Sequence, residues 1–384
     1  MRIGIDARLA AAPRTGIGSY TGSLVDALGR IGGPDQFVLF SNEPLPGPSQ
    51  PRFENPVLPV KQRLLWTFGS LPGACRARRL DLFHGTSNFE LPVFAGCPLV
   101  ATVHDLIPLR CPGAVSRQYR LLFRVLIARA LRAARLVMTD AEYTRREILE
   151  RFPIAPNQVV TVPLAAGPTF TPDPDPEGRR RVCDRHGLKG RYLLFVSVFE
   201  PRKNIPLLVD AFEIFRREYP HGSAFQLALA GGAGWRGAEI ADTVRRRGLE
   251  PAVRLLGYVP DEDLPWLYRG AELAVVPSQY EGFGLSALEA MACGTPVLAA
   301  NASSLPELVG DAGELFAPGD PALLALRIAE ITAAPERRAA MREHGLARAA
   351  GFSWDRTARR VLEVYREALA SRSPLPRREG AGGG

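Results

Sequence analysis

The sequence predicts an α/β protein made of two doubly wound, parallel-sheet domains facing each other across a cleft. Three observations predict it. Short, near-continuous apolar runs alternate with amphipathic helical runs, the pattern of parallel strands covered on both faces. The alternation halts at the proline- and acid-rich stretch PTFTPDPDPEG (168–178) and then resumes. The 384 residues also suit two domains, at ~100–200 residues per domain.

In the first half, strands are expected at RIGIDA (2–7), FVLF (37–40), LFHG (82–85), LVATVHD (99–105), LVMTD (136–140) and VVTVPL (159–164). Helices are expected between several of them, at 18–30, 116–134 and 141–152. The second half gives strands at YLLFVSV (192–198), QLALAG (226–231), VRLLG (253–257), LAVVPS (273–278) and PVLAA (296–300), with a helix after each of the first four. The expected layout is therefore an N-terminal domain at 1–168, a linker at 169–190 and a second domain at 191–353. A helix at 354–371 follows, then a disordered tail, RSPLPRREGAGGG, at 372–384.

Bulk composition narrows the function. An apolar fraction of 46% excludes wholesale disorder. No stretch reaches the ~18 apolar residues of a membrane span, and MRIGIDARLA enters a strand pattern without a signal-peptide core. Five cysteines form no CxxC pair and an odd total, which reads as reduced thiols in a cytoplasm. The net charge of +8 is nearly all arginine, with lysine only at 61, 189 and 203. Such an excess attracts nucleic acid, an anionic membrane surface or phosphorylated small molecules.

Open parallel sheets bind ligands beyond the carboxyl ends of their strands. The residues of this chain that do not look like packing residues gather there. RTGIG (14–18) follows the first strand, and Gly16 and Gly18 allow close backbone approach to a ligand; an ordinary glycine loop is the plain alternative. His104 and Asp105 end the fourth strand, where a histidine either contacts a reacting group or is structural. Arg202 and Lys203, in FEPRKN (199–204), suit a diphosphate or are a solvated basic pair. QYEGFG (279–284) places Glu281 toward the cleft, and Gly282–Leu285 present helix N-terminal amides. Glu289 lies more than one turn into that helix, between Leu288 and the apolar run that follows, and needs a hydroxyl-rich ligand or an internal arginine as partner.

Other signals are weaker. GAGWRG (232–237) matches a dinucleotide loop, but the next strand ends in Gly257-Tyr258 and not in a ribose-binding acid. The acid runs DPD (173–175) and DED (261–263) fall in the linker and at a helix start, where acids cap, so no metal is expected.

The block EGFGLSALEAMACGTPVLAA with SSLPELVGDAG (281–300 and 303–313) resembles the retaining glycosyltransferases of family 4. So do PRKN (201–204), LGYVPDEDLPWLYRGAEL (256–273) and VHDLIPL (103–109), and GIDARLAAAPRTGIGSYTGSLVDAL looks like the bacterial mannosyltransferase-type members. The likeness covers roughly residues 1–370. It implies the GT-B fold: two Rossmann-like domains, acceptor on the first and nucleotide-sugar on the second, with the C-terminal helix crossing back. It also implies no metal and no cofactor beyond the donor itself. Arg202 and Lys203 would then hold the donor diphosphate, and Glu281 the transferred sugar near its reacting carbon. Phe283, Gly284 and Leu285 would offer backbone amides, Glu289 would take the ribose, and His104 would lie beside the transferred sugar. Gly16 and Gly18 would border phosphate and acceptor, with Tyr258 and Val259 near the base.

The expected activity is transfer of a hexose, mannose from GDP-mannose, onto a saccharide or lipid-linked saccharide in cell-surface polysaccharide (lipopolysaccharide-type) synthesis. A UDP-sugar donor and a sugar-nucleotide epimerase remain open as alternatives. A basic nucleic-acid-binding protein is disfavoured because aromatic residues do not interleave with the basic clusters. SRQYRLLFRVLIARALRAARL (116–136) is basic and amphipathic, either a contact for anionic lipid at the inner face of the membrane or a domain helix with a solvated arginine face.

Overall fold

The computed structural model describes residues 1–11, 16–45, 50–111, 113, 115–172, 175–232 and 237–371. Arg14 and Thr15, most of the GAGWRG loop, the linker residues 173–174 and the expected tail at 372–384 lie outside the described residues.

Two parallel sheets form because their strands are apolar on both faces. The first comprises β1 (Arg2–Asp6), β2 (Gln36–Phe40), β3 (Phe53–Glu54), β4 (Leu82–Gly85), β5 (Leu99–Val103), β6 (Leu136–Thr139) and β7 (Val159–Thr161), in the order β3-β2-β1-β4-β5-β6-β7. The second comprises β8 (Arg191–Val196), β9 (Phe225–Ala230), β10 (Val253–Gly257), β11 (Leu273–Val276), β12 (Val297–Ala300) and β13 (Glu314–Phe316), in the order β10-β9-β8-β11-β12-β13. Both orders reverse beside the first strand of their sheet, between β1 and β4 and between β8 and β11. Chain crossing away on both sides leaves a crevice at such a point. The two crevices face each other.

Several expected strands end before their apolar runs do: β5 stops at Val103, β7 at Thr161 and β11 at Val276, so His104 and Ser278 lie in loops and not in the sheet. The edge strands β3 and β13 and the helices Pro321–Ala333 and Pro335–Ala350 were not foreseen.

One apolar cluster runs from the helix Gly16–Ile31 through the C-terminal helix Trp354–Ala370 into the second sheet; another fills the opposite face of the first sheet. The C-terminal helix packs on the helix Gly16–Ile31, as a crossover requires. Polar bonds fix its position. Tyr365 Oη lies 2.8 Å from His84 Nδ1, Thr357 Oγ1 donates to the Pro163 carbonyl at 2.7 Å, and Arg30 pairs with Asp355 at 2.9 Å.

The loop after β11 also holds the two domains together. Tyr280 Oη donates to Glu147 Oε2 at 2.6 Å and accepts from the Leu106 amide at 3.1 Å. Glu307 accepts from the amides of Glu142 and Tyr143 at 2.7 and 2.8 Å, capping a helix of the other domain. Gly282 is required by contact: a Cβ there would stand 2.3 Å from the His104 carbonyl oxygen. Tyr280→Phe strips the buried Leu106 amide and Glu147 of a partner. It should lower unfolding free energy by ~1–3 kcal/mol, measured by urea denaturation, without changing far-ultraviolet circular dichroism.

Candidate active site

A cavity of about 490 Å³ opens where the two crevices meet. Eight of the residues singled out in the sequence line it: Gly16, His104, Arg202, Lys203, Glu281, Phe283, Leu285 and Glu289. A larger concavity, about 1170 Å³, opens beside Gly190, Ala271 and Pro296, at the amino ends of β8, β11 and β12, and contains none of them. Polar, convergent side chains at strand carboxyl ends favour the smaller one.

The second domain supplies the charge. After β8 the chain makes one tight turn, Pro201–Lys203, and leaves it through Asn204 at φ 53°. That turn points two cations at the loop after β11. Lys203 Nζ donates to Glu281 Oε1 at 2.6 Å, and Arg202 Nη1 to Glu281 Oε2 at 3.1 Å and to the Tyr280 carbonyl at 2.9 Å. Arg202 Nε donates to Glu200 Oε2 at 2.8 Å. The Glu281 amide donates to Ser303 Oγ at 2.8 Å, while its carbonyl accepts from Ser304 at 3.0 Å. Lys203 and Glu281 are both 7% exposed. Burial alone would raise the Glu281 carboxyl; Lys203, then Arg202, outweigh it and hold the group below the usual carboxylate range. The sequence reading gave the cations to a diphosphate and the acid to a sugar. The structure pairs them with one another.

Gly284, at φ 101°, is the N-cap of the helix Leu285–Ala292, a conformation that glycine adopts without strain. Glu289, on the next turn, is half-buried and accepts from Tyr268 Oη at 3.1 Å. The internal partner is therefore a tyrosine and not the arginine that stood as the alternative to a ligand. Burial pushes the Glu289 carboxyl up to about 7.

The first domain contributes His104. Its amide donates to Asn88 Oδ1 at 2.8 Å, its Nδ1 lies 2.7 Å from Asp140 Oδ2, and its Nε2 lies 2.9 Å from the Thr86 carbonyl. Burial alone would lower the ring; Asp140 reverses that and raises it. Asp105 was named only beside His104, with no role, and Asp140 was not singled out, yet both line the cavity. Asp140 directly follows β6, the one position that could have flagged it.

Three expected residues lie elsewhere. Gly18 lines a separate cavity of about 140 Å³. Tyr258 is 67% exposed and Val259 is buried, and neither lines the cleft. The acid run 261–263 does begin a helix, with Asp263 at its N-cap position, but its carboxylate makes no cap bond and meets His186 Nε2 at 2.9 Å. Among the described residues no group of three or more His, Cys, Asp or Glu is placed to hold a metal ion.

Two family models match the chain: Glycosyltransferase Family 4 over residues 14–166 and Glycosyl transferases group 1 over residues 184–348. The O-antigen chain mannosyltransferase B of Escherichia coli is 35% identical over 290 residues, 74% of this chain and 74% of that one. The chain is a family 4 glycosyltransferase. A D-inositol 3-phosphate glycosyltransferase of Frankia alni is 36% identical over 247 residues, 62% of this chain and 60% of its own length. The fold is shared with a sucrose-phosphate synthase from Thermosynechococcus elongatus at TM-score 0.78 and 24% identity, covering 96% of this chain and 99% of that one. It is shared also with WaaG, a glycosyltransferase involved in lipopolysaccharide biosynthesis, at TM-score 0.74 and 17% identity, covering 95% and 99%. The architecture is therefore GT-B. As a family 4 enzyme the protein is a retaining glycosyltransferase, with an activated nucleotide-sugar as donor and an acceptor.

The raised Glu289 carboxyl carries a stability consequence. Its folded value, about 7, exceeds the ordinary 4.5. The folded state therefore holds a proton that the unfolded chain has released, and stability falls as pH rises from 4.5 through about 7. Glu289→Gln removes that loss. In scanning calorimetry without donor, the variant should melt above the parent at pH 8, and the two should converge near pH 5.

Proposed function

We propose that the enzyme transfers a hexose, mannose from GDP-mannose, with retention onto a saccharide or lipid-linked saccharide acceptor in cell-surface polysaccharide synthesis. The observation that carries this reading is the buried Lys203–Glu281–Arg202 cluster at the cleft. The choice of mannose rests on the O-antigen chain mannosyltransferase relative. The domain at 191–353 binds the donor and the domain at 1–168 the acceptor.

On this reading Arg202 and Lys203 meet the donor diphosphate, Glu281 the transferred sugar, and the Phe283–Leu285 amides the sugar and phosphate. Glu289 takes the ribose. Gly16 borders phosphate and acceptor, and Gly18 stands one step behind it on the same helix. Tyr258 and Val259 lie outside the cavity lining, and no contact with the base is assigned to them. Breaking the glycosyl–phosphate bond leaves negative charge on the departing diphosphate. Two cations already fixed in place stabilise that charge without reorganising. The acceptor hydroxyl attacks from the face the diphosphate leaves, and the departing phosphate takes its proton.

The reading predicts that GDP-mannose raises the melting temperature more than UDP-glucose or ADP-glucose at equal concentration. Arg202→Ala and Lys203→Ala should each lower kcat/KM on the order of 10²-fold, equivalent to ~3 kcal/mol. Stabilisation by UDP-sugars alone would move the donor assignment, and unchanged turnover in both variants would remove the diphosphate assignment.

We further propose that the enzyme works in the cytoplasm, peripherally at the inner membrane face. Among the described residues no helix is long and apolar enough to cross a membrane. However, the helix Arg117–Ala133 leaves Leu121 and Val125 66% and 58% exposed. Leu64, Leu65 and Phe94 are exposed beside it. Arg63 reaches Tyr119 Oη at 3.3 Å, and Arg129 stacks over Phe68 and Phe94. Apolar groups ringed by arginines suit an anionic interface. Sedimentation with anionic vesicles should exceed that with neutral ones and fall in Leu121→Ser/Val125→Ser; equal sedimentation with both lipids counts against it.

A further inference from the structure

We propose that Asp140 is a positioning residue that keeps His104 as a doubly donating imidazolium, so that the donor cleft holds a fixed cation on its first-domain wall and not a proton carrier. This rests on the reading of the cleft as the donor site.

The argument is geometric. Both ring nitrogens face oxygens that only accept: the Asp140 carboxylate at 2.7 Å and the Thr86 carbonyl at 2.9 Å. A neutral imidazole has one N–H and would set a nitrogen lone pair against one of those oxygens. Turning the ring over sets carbon against both and loses both bonds. Protonation at both nitrogens satisfies everything at once.

The same protein contains a control. His84, on β4, is as buried as His104, but its Nδ1 and Nε2 face the hydroxyls of Tyr365 at 2.8 Å and Thr102 at 2.7 Å. A hydroxyl donates or accepts as needed, so a neutral ring is satisfied there. Burial, with the charge of His104 nearby, pushes His84 down to about 3. Two buried histidines, one on β4 and one directly after the neighbouring β5, thus differ in their partners, a carboxylate and a carbonyl against two hydroxyls, and their tendencies are opposite.

The other groups facing His104 do not replace Asp140. Tyr20, from the helix Gly16–Ile31, meets the ring edge-to-face at 4.7 Å and is neutral. Asp105, on the same loop, is half-buried; desolvation raises its carboxyl, and the Ile107 amide and Arg202 oppose that. From the second domain, the Gly282 backbone packs on the His104 carbonyl and brings no charge. Both N–H groups are occupied within the protein. What His104 offers the donor is therefore positive charge and a ring edge, with no proton to transfer.

The test reads the charge of His104 directly. In proton NMR of the whole protein, the His104 Cε1–H resonance, assigned by its absence in His104→Gln, should titrate above the ordinary 6.5 in the parent. In Asp140→Asn, whose amide oxygen still accepts from Nδ1, it should titrate below that value, and in Asp140→Glu above it. In steady-state kinetics the alkaline limb of kcat/KM should move to lower pH in Asp140→Asn, by about tenfold in rate at fixed alkaline pH for each unit moved, and approach the parent near pH 5.5. A parent His104 that titrates below its ordinary value overturns the proposal, as does a loss in Asp140→Asn equal at every pH. Should Asp140→Asn fail to fold, the parent titration and Asp140→Glu decide. The NMR result stands whichever donor binds, so failure of the GDP-mannose reading leaves a distinct signature.

Discussion

The Glu281 carboxylate, buried between Lys203 and Arg202, constrains the rest of the site. An ion out of water is costly unless its partners are placed well. Here the partners lie 78 and 79 residues away in sequence, so only the fold can place them. It does so because β8 and β11 are neighbours in the sheet, with Leu273 opposite Leu193, and both loops leave the same edge. Ser303 and Ser304, from the loop after β12, then fix the Glu281 backbone on both sides. A buried cluster of this kind is weak evidence for stability and better evidence for position. It holds two cations ready before any anion arrives, and their charge is already balanced by Glu281 and Glu200. An incoming anion shares these cations and does not need to gather them.

The same loop ties the charge cluster to the relation between domains. Tyr280, Glu281 and Gly282 are consecutive, yet they serve the first domain, the second domain and the contact between them in turn. Tyr280 bonds Glu147 and Leu106, Glu281 bonds the cations, and Gly282 admits the His104 carbonyl where any side chain would collide. Movement of one domain against the other must therefore pull on the segment that holds Glu281.

Much of this was legible in the sequence. Strands buried on both faces are apolar runs, and all eleven expected ones begin within one residue of where the structure puts them, while the run that starts β7 continues past the strand, its Val162 amide still bonded to the Thr139 carbonyl. Charged and glycine residues directly after such runs marked the cleft, which is how Arg202, Lys203, Glu281 and His104 were found. What stayed hidden depends on side-chain pairing across the sheet. The tyrosine that serves Glu289 lies 21 residues earlier, on a helix whose facing side no spacing rule specifies. Asp140 looked like the ordinary end of a strand. Asp263 stood where an acid caps a helix, but a histidine on another element took its carboxylate. The edge strands β3 and β13 have two and three residues, too few to show a period.

The two glutamates of the EGFG segment show how much environment adds to residue type. They lie eight positions apart on one loop and helix, chemically identical, yet cations hold Glu281 low while burial lifts Glu289 to about 7. The difference follows from what each carboxyl touches: Lys203 and Arg202 give full charge to one, and the Tyr268 hydroxyl gives the other a neutral hydrogen bond. Opposed tendencies of this kind are how a site separates the tasks of like groups. A carboxylate locked to cations supplies constant charge at the cation end of the cleft. A carboxyl balanced near neutrality, with one weak partner, gains most from new hydroxyl donors, since each favours its ionised form. On the proposed reading, ligand hydroxyls arriving at Glu289 would favour release of its proton, which would couple recognition at that end of the cleft to pH.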